Sequence, residues 1–443
     1  MTRSIHVLGA GIVGICTAVE LARRGFAVTL VDRREPARET SWGNAGVIAA
    51  GSIFPEASPE LWRRLPGYLF NRGRDVHVHY RQLPRMLPYL RRFTASAGDG
   101  AWRRGAASLA SLLNKAVDAH MTLVAECGAH HLVRHHGWLK LHRSEDSLNA
   151  GRASEELLDA HGISYTRVDR AALADLEPHL APIFAGGRLM NDVATISDPG
   201  ALGDAYAGLL ARLGGDIRRA EVRGLEPRGD GWRVLCEQER STAMPWSSRW
   251  APGAGPLLAR LGCRLPLIAE RGYHRHFHPA GHAALGRPIH DIDGGYVLAP
   301  MDMGYRLTTG VEWARLDAPP TPVQLSRVLP RAREAFALGE ACSPVWLGNR
   351  PQTPDTLPLL GPVPRRRNLW LASGHGHLGL SSDRSPACCW RSASPASRPP
   401  STSLRSTRRD SCGAQPRGRN DETATRQASE TAQQRNTKAM TRS

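Results

Sequence analysis

Three glycines and an aspartate near the N-terminus have the types and spacing to bind a dinucleotide. In VLGAGIVG (7–14), Gly9 permits a tight turn, Gly11 lets backbone approach a pyrophosphate, and Gly14 lets helix and strand pack closely. The pyrophosphate would sit at the start of the following helix, where unpaired N–H groups and the dipole favour anions. Asp32, about 20 residues on, can accept hydrogen bonds from a ribose hydroxyl. Arg33 and Arg34 come next and have the charge to meet a phosphate. In the loop ETSWGNAG (39–46), Ser41, Asn44, Ala45 and Gly46 form a second stretch where backbone can come close to a ligand. His274, His276 and His278 alternate, so a strand would put three imidazoles on one face. That spacing suits zinc, but no fourth ligand accompanies it and no metal is expected.

These residues need particular elements to position them. An apolar run (Ile5, Val7, Leu8) leads into the glycines, a helix follows through Ala18, Leu21 and Ala22, and Ala27–Val31 makes a second strand that ends at Asp32. Residues 55–105 read as amphipathic helices and 106–128 as another helix; GWLKLHRSE (137–145) alternates like a strand. Asp198-Pro199 opens a helix that stops at Gly214-Gly215. Residues 272–278, 294–300 and 303–314 suggest antiparallel strands, and NLWLASGHGHLGL (368–380) a buried strand running into another glycine turn.

Composition narrows the function classes. The formal net charge is +17, but residues 381–443 hold 12 Lys/Arg against 5 Asp/Glu, and elsewhere Arg is scattered without aromatic interleaving. That pattern argues against nucleic acid as a partner and allows at most a peripheral attraction to anionic lipid, with PRMLPYLRRF (84–93) as the basic–apolar segment. Eight cysteines without CxxC spacing read as free thiols of a cytoplasmic protein, with a peripheral place on the inner face of a membrane as the other option. No stretch of 18 apolar residues is present.

The chain resembles the FAD-dependent amino-acid oxidoreductases, specifically the D-amino acid dehydrogenase branch near glycine oxidase. The pieces that carry this are VLGAGIVG (7–14), ETSWGNAG (39–46), HGWLKLHRSE (136–145), ISDPGAL (196–202), DMGYRLTTGVEWA (302–314), RPQTPDTLPLLGP (350–362) and LWLASGHGHLGL (369–380). The resemblance implies an α/β fold in which a Rossmann-like FAD-binding domain (1–80, 185–265 and 345–380) interleaves with an α+β substrate domain built on an antiparallel sheet (81–184 and 266–344). Residues 381–443 would be a disordered tail. The cofactor would be FAD. Gly9, Gly11, Gly14, Asp32 and Arg33 would hold its adenosine and pyrophosphate, with Val222 meeting adenine through its backbone. Ser41 and Asn44–Gly46 would lie near the ribityl and flavin, and the turn Gly374–Gly379, with His375 and Gly376, would close over the ring.

The implied reaction is oxidative deamination of a D-amino acid by hydride transfer to flavin N5, which gives a 2-oxo acid and ammonia and passes electrons to a quinone or other acceptor. An oxygen-using oxidase of glycine- or sarcosine-type amines is the alternative. Arg350 would anchor the carboxylate, since a planar guanidinium binds a carboxylate bidentately. Tyr305 and Tyr273 would cap the substrate, and His377 would be a second basic group.

Two stretches depart from the family pattern. Residues 240–254 lack an apolar strand, and nothing after Leu380 resembles the expected helix. With GC-rich codons read two bases along, AMPWSSRWAP can give DAVVVALGAW, and the segment from Ser381 can give ELGPVTGLLLAQ. A coding frame that slips near Ser241, recovers near Gly253 and slips again near Leu380 would account for both, and would leave a non-catalytic remnant as a further reading. Resequencing the DNA tests this: codons unable to encode those strings would sink it.

Overall fold

The computed structural model describes residues 4–237, 254–314 and 318–382. Residues 240–253 and 383–443, on which the frame-slip reading rests, lie outside them.

The N-terminal strand Ser4–Leu8 pairs in parallel with Ala27–Asp32, which pairs in parallel with Asp216–Arg219. A parallel pair needs a crossover, and the helix Ile12–Arg23 supplies it. That helix buries Ile15, Ala18, Val19 and Leu21 against Leu30 and against Leu202, Tyr206 and Leu210 of the helix Pro199–Arg212. Each aliphatic side chain so buried contributes roughly 1.5–3 kcal/mol. Asp198 caps the second helix by accepting from the Gly200 and Ala201 amides, with Pro199 in the first turn.

The other large element is an eleven-stranded sheet, mostly antiparallel, whose spine is the long strand Ile268–Pro279. This strand pairs with Gly304–Thr309, Val311–Trp313, Leu338–Ala341 and Trp346–Gln352. Beyond Gly304–Thr309 the order continues through Tyr296–Met301, Ile289–Asp291, Trp138–His142, Gly186–Met190 and Tyr165–Asp169. One face packs Leu139, Leu141, Ile289, Leu298, Leu307 and Phe277 on the helix Val323–Ala335. The opposite face turns toward the N-terminal unit, and its even-numbered long-strand positions 270, 272, 274 and 276 line the candidate site.

Strand pairing draws the domain line differently in three places. Val76–Val78, Gly186–Met190 and Trp346–Gln352, expected on the FAD-binding side, are hydrogen-bonded into the large sheet. An apolar run cannot by itself name its partner sheet, and pairing is decided by register over distance. The helix expected over 106–128 is broken at Asn114–Lys115 into Asp99–Leu113 and Ala116–Cys127. No helix among the described residues is long and apolar enough to cross a membrane.

Candidate active site

The cradle for a dinucleotide is made by backbone. Gly9 has φ +103°, a conformation that L side chains rarely adopt. A Cβ on Gly14 would lie 1.8 Å from the Gly9 carbonyl oxygen, so only glycine lets the helix come this close to the strand. Gly11 is the helix N-cap and offers no side-chain cap. Ser41 reaches across instead, and its hydroxyl oxygen accepts from the Ile12 amide at 2.9 Å, which leaves its O–H able to donate to a ligand. Asp32 accepts from the Ala10 amide at 2.6 Å and from the Arg34 amide at 2.9 Å, with lone pairs left for a ribose. Arg33 turns its guanidinium to Glu39 at 2.5 Å. The Ala220 amide donates to the Asp32 carbonyl at 2.7 Å, which brings Val222, two residues on, to the Asp32 end of the cradle.

The second loop is held from the sheet. Asn44 Oδ1 accepts from the Gly46 amide at 2.6 Å and shapes the turn around Ala45. Arg306, fully buried, donates to the carbonyls of Trp42 at 2.8 Å and Asn44 at 2.5 Å and lies 5.2 Å over the Trp42 ring. Burial brings its pKa down to about 10. Sequence reasoning did not single out Arg306: it lies within the segment 302–314, but nothing there marks which side chain would hold the 41–46 loop.

The far wall is the turn Gly374–Gly379. Gly374 (φ +78°) and Gly376 (φ +51°) are left-handed, and a Cβ on Gly376 would meet Gln352 Oε1 at 1.8 Å. His375 is buried and bridges to Gln352. A Cβ on Gly379 would lie 3.9 Å from Val13, so this turn abuts the start of the N-terminal helix. The two glycine turns, far apart in sequence, therefore meet.

Across from them, the even face of the sheet carries a concentration of buried polar atoms without hydrogen-bond partners among the described residues: Glu270 Oε2, both nitrogens of His274, His290 Nδ1, Thr308 Oγ1 and Arg306 Nη2. Four of these residues are in direct register with a neighbour on the same face: Glu270 with Arg350, and His274–Thr308–Val297–His290–Lys140 as a continuous row. An unpartnered buried polar atom costs about 1–3 kcal/mol. Such a wall suits a polar, aromatic ligand laid against it, and with the glycine cradle it fits FAD.

Arg350 sits on this face with its guanidinium over Gly272, where a Cβ would be 2.5 Å from Nη2. Among the described residues it makes no hydrogen bond or ion pair, although Glu270 and Glu56 are near enough to favour its charge against the burial that disfavours it. His377 Nδ1 donates to Glu56 Oε1 at 3.0 Å, so His377, Glu56, Glu270 and Arg350 form one cluster. Glu56 and Glu270 were not expected from sequence, because a lone glutamate in a loop and another in a strand carry no spacing signal.

Tyr273 and Tyr305 do not join that cluster. Tyr273 occupies an odd position of the long strand and is buried on the other face, where its hydroxyl donates to Glu312 at 2.7 Å and accepts from the Thr321 amide at 2.8 Å. Tyr305 pairs with Phe277, also odd, and its hydroxyl accepts from the Leu285 amide at 3.1 Å. Alternation along the strands excludes both from the face that carries Arg350. Of the three histidines, His276 meets Arg306 at 3.0 Å and Ser343 at 3.2 Å, and His274 stacks on Trp346 with ring centres 4.6 Å apart. Burial, with the nearby Arg306 charge, takes the His274 pKa to about 2 and that of His276 to about 4, so both are neutral.

Comparison with known proteins identifies the family and the fold. The family model described as "FAD dependent oxidoreductase" (DAO) matches residues 4–386. The chain is 31% identical to D-amino acid dehydrogenase 2 of Mesorhizobium japonicum, over 85% of this chain and 92% of that protein. It is 29% identical to a D-amino-acid oxidase of Bradyrhizobium diazoefficiens, over 85% and 91%. Among solved structures, glycine oxidase from Geobacillus kaustophilus superposes with a TM-score of 0.62 at 19% identity, covering 87% of this chain and 93% of that one.

Proposed function

Because the chain belongs to the DAO family of FAD-dependent oxidoreductases, we propose that it oxidises the Cα–N bond of a D-amino acid and delivers the electrons to an acceptor other than oxygen. The observation that supports this reading is Arg350: a half-buried guanidinium on the face that carries Glu270, with no hydrogen bond or ion pair among the described residues, so that its planar donors are available to a carboxylate. Bound FAD supplies the hydride acceptor. What the chain contributes is orientation: Arg350 fixes the carboxylate, the Gly374–Gly379 turn and the 41–46 loop enclose the reacting carbon, and the enclosed geometry keeps out water. Loss of a hydride from Cα of the amine form leaves a 2-iminium acid, which water hydrolyses to the 2-oxo acid and ammonium.

The choice of acceptor rests on the surface. Trp62, Leu69, Phe70, Tyr80 and Leu87 are all exposed, Phe70 by 67%, and Arg63, Arg64, Arg81 and Arg85 are exposed among them. Large apolar side chains interspersed with arginine suit an anionic bilayer, where a quinone acceptor would be met. By contrast the 84–93 helix buries Met86, Tyr89 and Phe93 inward, so only its Leu87 side belongs to this patch.

The test is direct. Purified protein should show a flavin absorption band that bleaches on anaerobic addition of a D-amino acid and not its L-enantiomer. It should reduce a soluble quinone, with little peroxide in air. A colourless protein would overturn the reading in favour of the remnant; peroxide formed in step with substrate consumed would favour the oxidase.

A further inference from the structure

Glu56 and Glu270 are drawn together beside Arg350 in a way that the carboxylate anchor does not require. Glu270 is completely buried; Oε1 accepts from the Trp313 indole at 3.2 Å, while Oε2 has no donor. It stands directly opposite Arg350 in the strand register, yet no ion pair joins them. Glu56 lies at the rim, its side chain 26% exposed, and is held by His377 at 3.0 Å. The two carboxyl groups act on each other's ionisation, so one is favoured as the acid and the other as the carboxylate. Burial, then the Glu56 charge, pushes Glu270 well above the ordinary carboxylate range. Burial also acts to raise Glu56, but His377 and Arg350 outweigh it and hold Glu56 below its ordinary value. The proton therefore resides on Glu270 and the negative charge on Glu56.

An acidic pair of this kind could simply offset the Arg350 charge. Direct pairing would do that at lower cost, with Glu270 ionised and bonded to the guanidinium, and that is the arrangement the register allows and the structure does not adopt. What the arrangement leaves is a guanidinium with no hydrogen bond or ion pair among the described residues, on the same sheet face as a singly charged carboxyl pair. The complementary ligand carries a carboxylate and a cation on adjacent atoms.

We propose that Glu56 and Glu270 form an ammonium subsite, which takes the α-ammonium of a zwitterionic amino acid while Arg350 takes its carboxylate. This rests on the carboxylate-anchor reading of Arg350. In it the Glu56 carboxylate accepts from the ammonium and Glu270 braces Glu56 by donating the shared proton, with Trp313 fixing Glu270 and His377 fixing Glu56. Free amines without a carboxylate, and carboxylic acids without an amine, each satisfy only half of the site.

The test uses two ligands that cannot be oxidised. 2-Aminoisobutyrate has the ammonium but no α-hydrogen; pivalate replaces that ammonium with a methyl of similar size. Calorimetric titration of the purified full chain with each separates the two halves of the site. Glu56→Gln should weaken 2-aminoisobutyrate at least tenfold and pivalate less than threefold. Glu270→Gln keeps both a donor toward Glu56 and an acceptor for Trp313, as the neutral acid does, and should leave both ligands within about threefold. Equal losses for both ligands or no loss for either in Glu56→Gln, or a tenfold loss of 2-aminoisobutyrate in Glu270→Gln, would overturn the ammonium subsite. Arg350→Ala should remove both ligands; if pivalate binding survives that change, it is the carboxylate anchor that fails.

Discussion

The cradle at Gly9–Asp32 and the wall at Glu270–Arg350 face the same space but are built differently. The cradle is backbone, assembled from consecutive elements, with contacts such as Ala10 to Asp32 and Ile12 to Ser41 that close within a short length of chain. The wall is side chain, assembled by register between strands far apart in sequence, and its polar atoms are largely unpartnered. The cradle recognises what every dinucleotide shares, a pyrophosphate and a ribose, so it needs little variation. The wall decides which small molecule is oxidised, so it stores unsatisfied polarity that its ligands then complete.

If that contrast holds, the largest effect comes from breaking the cradle. Gly14→Val places side-chain atoms where a Cβ alone would already be 1.8 Å from the Gly9 oxygen, and that oxygen is backbone and cannot move aside. We expect no retained flavin absorbance and a collapse of the thermal transition. A variant that keeps both would mean that the helix is not where the close packing requires it.

Arg306 joins the two regions and comes next. Arg306→Met removes the donor to the half-buried Trp42 and Asn44 carbonyls. A fully stranded group costs about 1–3 kcal/mol, and with water able to reach these two in part, a loss of stability of roughly 2–4 kcal/mol is expected. Cofactor retention should fall with it, because the 41–46 loop is released. Measured by denaturant titration and by flavin content after dialysis, a variant stable but empty would place the whole role of Arg306 in the loop.

How much of this was legible in the sequence follows the same division. Gly9, Gly11, Gly14 and Asp32 declare themselves by spacing, since backbone geometry within one βαβ unit is a local matter. The second glycine turn was legible as a turn, and only the meeting of Gly379 with Val13 shows what it closes. Arg350 was found through its motif, but its neighbours Glu56 and Glu270 were not, because nothing local distinguishes a glutamate that register will bury. Tyr273 is instructive. Its parity relative to His274 and His276 was readable, yet which parity faces the cofactor depends on a pairing that no single strand encodes.

A pH experiment probes the wall as a whole. His274, His276 and His290 are buried and neutral, with pKa values brought to about 2, about 4 and about 3 by burial and by the Arg306 and Lys140 charges near them. Unfolded, each would bind a proton below its ordinary value of about 6.5. The unfolded state then holds more protons than the native one, so stability is complete above that value and is lost as pH falls toward the folded values. Arg350 also faces His274, and Lys140, itself lowered to about 7 by burial and Arg188, faces His290; both cations act in the same direction. Between pH 6 and 4 unfolding should take up about two to three protons from this group, and His274→Asn should reduce the uptake by about one. An unchanged slope would mean that His274 reaches water.

The smallest expected effect is the most discriminating, because it sets a residue of the right type on the wrong face against the wall. Tyr305→Phe deletes a hydroxyl that accepts from the Leu285 amide and approaches the Ala283 carbonyl at 3.4 Å, while the ring stays packed edge-on against Phe336. One stranded amide in a half-buried loop predicts a stability loss of about 0.5–1.5 kcal/mol. Turnover and binding should change by less than about twofold, because nothing in the odd face reaches Arg350. A substrate-capping hydroxyl would behave in the opposite way, with stability intact and kcat/KM down tenfold or more. Tyr305→Phe thus separates the two faces of one sheet by kinetics alone: a large kinetic loss would mean that the site extends through the sheet edge to the Ala283–Leu285 loop, and that polarity stored on the even face is not what selects the substrate.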